Sequence, residues 1–410
     1  HYFSSTSNFA FMSDSVESTG SASWIDYDND CDQDIFLIKS GRSHPIGVED
    51  HRMFHNNLSE TGILTFQRVN NVPMVTHLNL DFQASWADYD NDGDLDVFLG
   101  NFDGPNYLYR NEGDSVFTRI TQGDIVNLNT PTLGSAWGDY DNDGDQDLIV
   151  NNTGGFAPIY FENDGTGQFS VQGASVVGAP ASLVGNLQSC SNADVNSDGY
   201  LDLLIATTNF DKLYRNNGGS NHFLELNLEG TMSNSKAIGA KARIGCSING
   251  NYTEQMRFIS GNPTGDKAQN NLRMHFGIGD AQMIDTLIIE WPLCSKDTFT
   301  NINANSICDI REDGTITCQE VLGSASINSI DSEMIDVYPN PASDIIRIQI
   351  NREYEEAQIE LIDINGKTYW QIDVNEANII EIPRKDIIAG MYFVKLRIQD
   401  KLISKKIILK

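Results

Sequence analysis

The sequence predicts an all-β protein: propeller-type repeats with metal loops, then a β-rich second domain and a C-terminal β-sandwich. Three observations predict it. The string D-Y-D-N-D-G-D-x-D occurs twice, at Asp88–Asp96 and Asp139–Asp147, and near-copies at Asp26–Asp34 and Asp194–Asp202 bracket the pair. The first aspartates of the four copies lie 62, 51 and 55 residues apart, a period that suits four-stranded blades. Each loop also runs into a short apolar stretch of buried-strand type, such as Ile35-Phe36-Leu37-Ile38 or Leu148-Ile149-Val150.

The loops come first because their chemistry is explicit. Position one is Asp26, Asp88, Asp139 and Asp194. Position three is Asp28, Asp90, Asp141 and Asn196. Position five is Asp30, Asp92, Asp143 and Asp198, and position nine is Asp34, Asp96, Asp147 and Asp202. Carboxylates at every second residue repel one another unless a cation lies between them. A hard divalent ion taking six to eight oxygens removes the conflict, and calcium fits best, so about four Ca2+ ions are expected. Position seven is Asp32, Asp94, Asp145 and then Tyr200. A site that tolerates Tyr is expected to bind there through the backbone carbonyl. Position six is Gly93, Gly144 and Gly199, as a turn at positive φ requires, but Cys31 in the first copy. The first site is therefore expected to be strained or weaker. An EF-hand is excluded, because position twelve is Leu37, Leu99, Val150 and Ile205 instead of Glu.

A second echo follows each loop. Arg52-Met53-Phe54-His55-Asn56, Tyr107-Leu108-Tyr109-Arg110-Asn111, Ile159-Tyr160-Phe161-Glu162-Asn163 and Lys212-Leu213-Tyr214-Arg215-Asn216 each read as a strand ending in a polar turn. Before the loops stand Trp24, Trp86 and Trp137, with Asn192 in the fourth copy. Their equivalent placement points to blade packing more than to a sugar-stacking platform. Together these residues resemble the FG-GAP/VCBS repeats of calcium-binding propellers, over residues 1–222. The resemblance implies a metal near each loop. Four blades are fewer than such rings usually hold, so further repeats upstream of His1, or a later domain, are expected to complete the ring.

From Asn221 the loops stop. His222-Phe223-Leu224-Glu225-Leu226, Ala237-Ile238-Gly239-Ala240-Lys241, His275-Phe276-Gly277-Ile278-Gly279 and Asp285-Thr286-Leu287-Ile288-Ile289-Glu290-Trp291-Pro292 alternate like strands joined at glycines. Their order over 223–319 resembles the ASPIC/UnbV domain, which brings no transferable chemistry. Residues 320–334 are small and polar, a linker by composition. Val337-Tyr338-Pro339-Asn340-Pro341 then opens strands at Ile345–Ile350, Ile359–Ile364, Ile379–Ile382, Met391–Ile398 and Leu402–Leu409, with Asn365-Gly366 as a hairpin turn. Residues 335–410 resemble the type A C-terminal sorting domain of the type IX secretion system of Bacteroidota. That resemblance implies export to the cell surface or medium, with the type IX secretion machinery as a partner.

Charge and cysteines bound the function. The chain has a net charge of −30, of which −23 lies in residues 1–222. Four calcium ions would still leave about −22, so nucleic acid is an unsuitable partner. No apolar run reaches a membrane span. Six cysteines suit an exported setting. Cys308 and Cys318 flank a hairpin and are placed to pair. Cys31, Cys190, Cys246 and Cys294 cannot be ordered from sequence, and free buried thiols are the default for them. His51 and His55 are four apart with Arg52 between, which reads as a solvated loop more readily than as a metal site. Asp14-Ser15-Val16, Asp114-Ser115-Val116 and Asp285-Thr286-Leu287 resemble the short O-glycosylation pattern of Bacteroidota.

No catalytic fingerprint appears. The leading expectation is a secreted, non-enzymatic, calcium-binding surface protein that holds a glycan or protein. The alternatives are a self-assembling structural subunit of an extracellular filament or layer, and a secreted hydrolase with an unrecognised site.

Overall fold

The computed structural model describes residues 19–39, 51–76, 80–172, 187–208, 211–261, 268–321, 335–350, 357–363, 367–375, 379–384, 387–398 and 401–410. Among them Asp14-Ser15-Val16, Asn365-Gly366 and nearly all of the linker are not included. The chain divides into two units, His1–Leu322 and Gly323–Lys410. No described helix is long and apolar enough to cross a membrane.

The first unit opens with four antiparallel sheets in series. Blade one pairs Thr19–Ile25, Asp34–Lys39, Arg52–Asn56 and Phe66–Val69 in chain order. Blade two is Asp81–Ala87, Asp96–Asn101, Tyr107–Asn111 and Phe117–Ile120. Blade three is Thr132–Gly138, Asp147–Asn152, Ile159–Asn163 and Phe169–Gln172. The fourth has three described strands, Leu187–Ala193, Asp202–Thr207 and Lys212–Tyr214. Each aspartate loop is the connection between the first two strands of its blade. The apolar run after each loop forms the second strand, buried on both faces in blades two and three, which explains its continuous hydrophobicity.

The tryptophans show how the blades stack. Trp86 of blade two is 2 % exposed and packs edge-on against Phe36 of blade one, ring centroids 5.6 Å apart. Trp137 of blade three packs edge-on against Phe98 of blade two at 6.4 Å. Each indole thus plugs the preceding blade. Trp24 has no such partner among the described residues and is 50 % exposed, so the packing role expected of all three holds for two.

Asparagines add a second seam. At position four, Asn29 and Asn91 sit at positive φ (61° and 59°). Asn29 Nδ2 donates to Asp94 Oδ1 at 2.5 Å, and Asn91 Nδ2 to Asp145 Oδ1 at 2.9 Å and Gly144 O at 3.2 Å. Asn142 Nδ2 donates to Gly199 O at 2.8 Å. The asparagine closing each third strand reaches back the other way. Asn111, Asn163 and Asn216 donate to the carbonyls of Tyr27, Tyr89 and Tyr140 at 2.8, 2.8 and 2.7 Å. Every blade junction therefore carries two buried or part-buried amide links.

The second half of this unit is two packed four-stranded sheets. One orders Met274–Gly277, Phe223–Glu229, Ser306–Arg311 and Ile316–Glu320, the other Asn251–Phe258, Lys241–Ile248, Met283–Glu290 and Lys296–Asn303. Leu224, Ile244, Phe276, Leu287, Trp291 and Cys308 share one core. Cys308 and Cys318 are joined across the expected hairpin. Cys31 is joined to Cys294, which corrects the default of free thiols for that pair, while Cys190 and Cys246 are buried and free. The bond spans 263 residues and ties the first loop to the second domain, which gives Cys31 its reason to stand at φ 74° where the other loops place Gly.

The second unit is a sandwich of a three-stranded sheet (Ile335–Tyr338, Ile345–Ile350, Ile379–Pro383) and a four-stranded sheet (Thr368–Val374, Ala357–Asp363, Gly390–Ile398, Lys401–Leu409). Ile346, Ile359, Val394 and Ile407 meet in its core. Thr368–Val374 is a strand beyond those expected, although Trp370, Ile372 and Val374 alternate with polar residues along it.

The stacking makes a prediction. Trp86→Ala should cost about 3–5 kcal/mol, as for other large buried aromatics, and Trp24→Ala under about 1 kcal/mol. Denaturant unfolding of both variants checks it, and equal losses would contradict the plug arrangement.

Candidate metal centres

The same bonds build each loop. Position one bends its carboxylate back onto the turn: Asp88 Oδ1 accepts the Asp92 N–H at 3.0 Å and Oδ2 the Gly93 N–H at 3.1 Å. Asp26, Asp139 and Asp194 do the same for their loops. Position five accepts the N–H of position seven. Position nine ties the loop to the blade. Asp96 Oδ2 accepts the Tyr89 N–H at 3.1 Å and Oδ1 the Asn111 N–H at 2.8 Å, a pattern repeated by Asp34, Asp147 and Asp202. Backbone N–H groups thus hold the carboxylates in place, and positive φ at position six lets the turn close.

In blades two and three this brings positions one, three and nine together. Carboxylate oxygens of Asp88, Asp90 and Asp96 lie within 4.8 Å of one another, as do those of Asp139, Asp141 and Asp147. In blade one Asp26, Asp28 and Asp30 cluster, and Asp28 and Asp34 gather with His55. The fourth loop is different. Asn196 Nδ2 bonds Asp198 Oδ2 at 2.7 Å, and Arg215 reaches the same oxygen at 3.2 Å, so an internal cation already faces that carboxylate.

Position seven turns its side chains elsewhere. Asp94 and Asp145 accept the Asn29 and Asn91 amides of the preceding blade, Asp32 Oδ2 accepts the Ser59 N–H at 2.9 Å, and the Tyr200 hydroxyl donates to Asn221 O at 2.8 Å. Each position-seven side chain thus has a partner outside its own loop.

The clusters fit a hard cation on two counts. Asp28 Oδ1 and Asp90 Oδ1, both at position three, are buried with no hydrogen-bond partner, a costly state for a carboxylate oxygen. Burial, aided by neighbouring aspartates, also pushes these groups up: Asp28 and Asp90 to about 6, and Asp88 and Asp143 to about 7. Asp34 rises to about 9, and Asp96, Asp139 and Asp147 stand well above the usual range. Arg257, buried nearby, offsets part of the rise at Asp88 and Asp139. A calcium ion would supply the missing positive charge, held by positions one, three and nine with the position-seven carbonyl.

The second domain caps these loops with two cations and a neutral histidine. Lys241 Nζ lies 2.8 Å from Asp26 Oδ2, both nearly inaccessible, and bonds Asn29 Oδ1. Arg243 Nη2 donates to Gly93 O at 2.9 Å and His275 Nε2 to Gly199 O at 3.0 Å. Burial holds His275 down at about 4, so it is neutral there. A side chain at position 199 would collide with the Phe223 ring, so glycine there serves both the turn and the domain seam. Sequence reasoning missed these partners. The conserved look of the four loops within one chain was visible, but nothing local marks Lys241 or Arg257 as their counter-charges.

The histidines also correct an expectation. His51 is not in a solvated loop: it is fully buried, with Nε2 2.8 Å from Asp81 Oδ2 and Nδ1 accepting the Lys39 N–H. His55 lies over the first loop, Nδ1 3.1 Å from Asp28 Oδ2.

Comparison with known proteins assigns the parts. Residues 88–150 match the model of the FG-GAP-like repeat, 230–317 that of ASPIC and UnbV, and 336–410 that of the secretion system C-terminal sorting domain. The chain carries these three modules in that order. The FG-GAP-like match runs from the first aspartate of the second loop to the strand after the third, the two loops with complete clusters. The sorting domain marks the protein for export by type IX secretion to the cell surface or extracellular space. No curated protein matches the chain. Among solved structures, the extracellular domain of a putative hybrid two component system from B. thetaiotaomicron aligns at TM-score 0.27 and 10% identity, over 92% of this chain and 48% of that one. The Photorhabdus luminescens Tc holotoxin pore aligns at 0.27 and 15%, over 93% and 15%. This chain thus spans about half of the first and less of the second, and both scores are too low to argue a shared fold.

The raised carboxylates of the FG-GAP-like repeats set a pH dependence. A folded pKa above the unfolded value means the folded state binds protons more tightly, so stability is lost as pH rises from about 4 through about 7, the range set by Asp90 and Asp88. Thermal unfolding in chelator should show this decline, and calcium should flatten or reverse it. A chelated protein that gains stability from pH 4 to 7 would contradict it.

Proposed function

We propose that this exported chain is a calcium-stiffened, non-enzymatic surface protein whose FG-GAP-like repeats and ASPIC and UnbV domain present a rigid surface to a glycan or protein. One observation carries the reading: the one-three-nine carboxylate clusters recur in consecutive blades, one of them with an unpaired buried oxygen on Asp90, and lie at the seam where the second domain docks. Calcium there would lock blade to blade and blade to cap, which is what a surface exposed to the outside medium needs.

The reading against an enzyme rests on how the acid groups are used. The loop carboxylates at positions one and nine each accept two or more backbone N–H groups, and carboxylates bound to an ion are poor general acids. The His51–Asp81 pair has the geometry of a base and its orienting partner, but both side chains are fully buried, out of reach of a substrate.

A structural subunit is the second reading, favoured by exposed apolar side chains among the described residues. Trp24, Leu204 and Leu213 are all about half exposed. Electron microscopy separates the two: ordered polymers favour the subunit, dispersed particles the binding module.

The metal assignment has its own check. Asp90→Asn should remove one calcium per chain and lower stability in calcium by about 3 kcal/mol, the linkage value of one site at a hundredfold excess over Kd. Glycan-array binding should fall in the variant and in chelator. Unchanged calcium content with unchanged melting would overturn the ligand set.

A further inference from the structure

We propose that the first loop differs from the others in its metal: with His55 it forms a site for a borderline divalent cation, zinc. This rests on reading the loops as metal sites and extends it to a second ion.

The residue before the asparagine that follows or ends the third strand reaches its own loop in blades one, two and four, while in blade three Glu162 accepts from Gln172 instead. It is His55, Arg110, Glu162 and Arg215 in the four blades. Arg110 lies 3.9 Å from Asp90 Oδ2 and Arg215 3.2 Å from Asp198 Oδ2; each brings a fixed positive charge and no lone pair. Only His55 offers a nitrogen that can bind a metal.

Its surroundings suit that role. His55 Nδ1 is 3.1 Å from Asp28 Oδ2 and 3.5 Å from Asp34 Oδ1, and the ligand atoms of the three residues lie within 4.8 Å of one another. On the other side of the ring, Nε2 is 3.0 Å from Glu60 Oε1. A proton on Nε2, given to Glu60, leaves the Nδ1 lone pair facing two carboxylates. That arrangement is repulsive unless a cation sits among them, and an outer carboxylate on the far nitrogen is the usual support of a metal-binding imidazole. Consistent with an open coordination site, His55 Nδ1 and Asp28 Oδ1 are buried and make no hydrogen bond. Asp32 in the same loop, 7 % exposed, likewise has Oδ1 unpaired.

The same loop has a poorer claim to calcium. Its position-one carboxylate is engaged by Lys241 at 2.8 Å, and position six is held in the Cys31–Cys294 bond. Calcium takes six to eight hard oxygens, whereas zinc is satisfied by about four nitrogen or oxygen donors. Asp28, Asp34 and His55, with solvent in the fourth place, meet the second need.

The rival is that His55 is an imidazolium acting as a built-in counter-charge, as Arg215 does on Asp198. Titrating the full, tag-free chain with Zn2+ in saturating calcium, and with Co2+ for its nitrogen-sensitive absorption, decides between them. The expected result is one Zn2+ per chain that calcium does not displace. His55→Ala should weaken zinc by about 100-fold and Glu60→Gln by about tenfold, with calcium content unchanged in both, which shows that they fold. Bound calcium without zinc, or zinc bound equally by His55→Ala, would overturn this proposal alone. A chain that binds neither ion would overturn the reading of the loops as well.

Discussion

The structure depends on placing rows of carboxylates where water cannot fully screen them. The first three loops put aspartates at alternate residues and the fourth at three of the five, and the turn buries positions one and nine almost completely. Ionised together they repel. Protonated, they lose charge at ordinary pH. Backbone N–H groups hold them in register, but neutral donors do not supply the missing charge. Positive charge from outside the loop relieves the conflict: the buried cations of the second domain supply part of it, and a divalent ion would supply the rest.

That requirement links the modules of the first unit. The second domain is a separate sandwich by its core, yet Lys241, Arg243 and Arg257 approach the loops, and Gly279 N–H donates to Asn142 O at 2.8 Å. The Cys31–Cys294 bond fixes the same seam covalently. An electrostatic need in the repeats is thus answered by an element far along the chain, and the repeats and the cap form one unit. The export signal lies in the other unit, so sorting and stabilisation are carried by different parts of the chain.

Much of this was legible in the sequence, for a physical reason. The loops are local: ligand spacing, the glycine turn and the strand that follows all lie within about a dozen residues. Strand order, blade period and the hairpin of Cys308 and Cys318 could be read for the same reason. What could not be read was long-range. Lys241 meets Asp26 across 215 residues, and Cys31 meets Cys294 across 263. The position-four asparagines were visible in every D-Y-D-N-D, but their amides act on the next blade, which no local pattern reveals. His55 stood in the strand echo, and only the fold placed it over Asp28 and Asp34. Trp24 shows the converse: the same motif residue is half exposed there and buried as Trp86.

The central claim is that a cation completes the turn that the position-one carboxylates hold. Hydrogen exchange at the amides of Asp92, Gly93, Asp143 and Gly144, in calcium and in chelator, tests it most directly. Strong protection in calcium that is lost on chelation, while the strand amides of Leu99 and Val150 stay protected, is the expected result. Equal protection in both conditions would contradict the claim and leave the loops as turns held by their own hydrogen bonds.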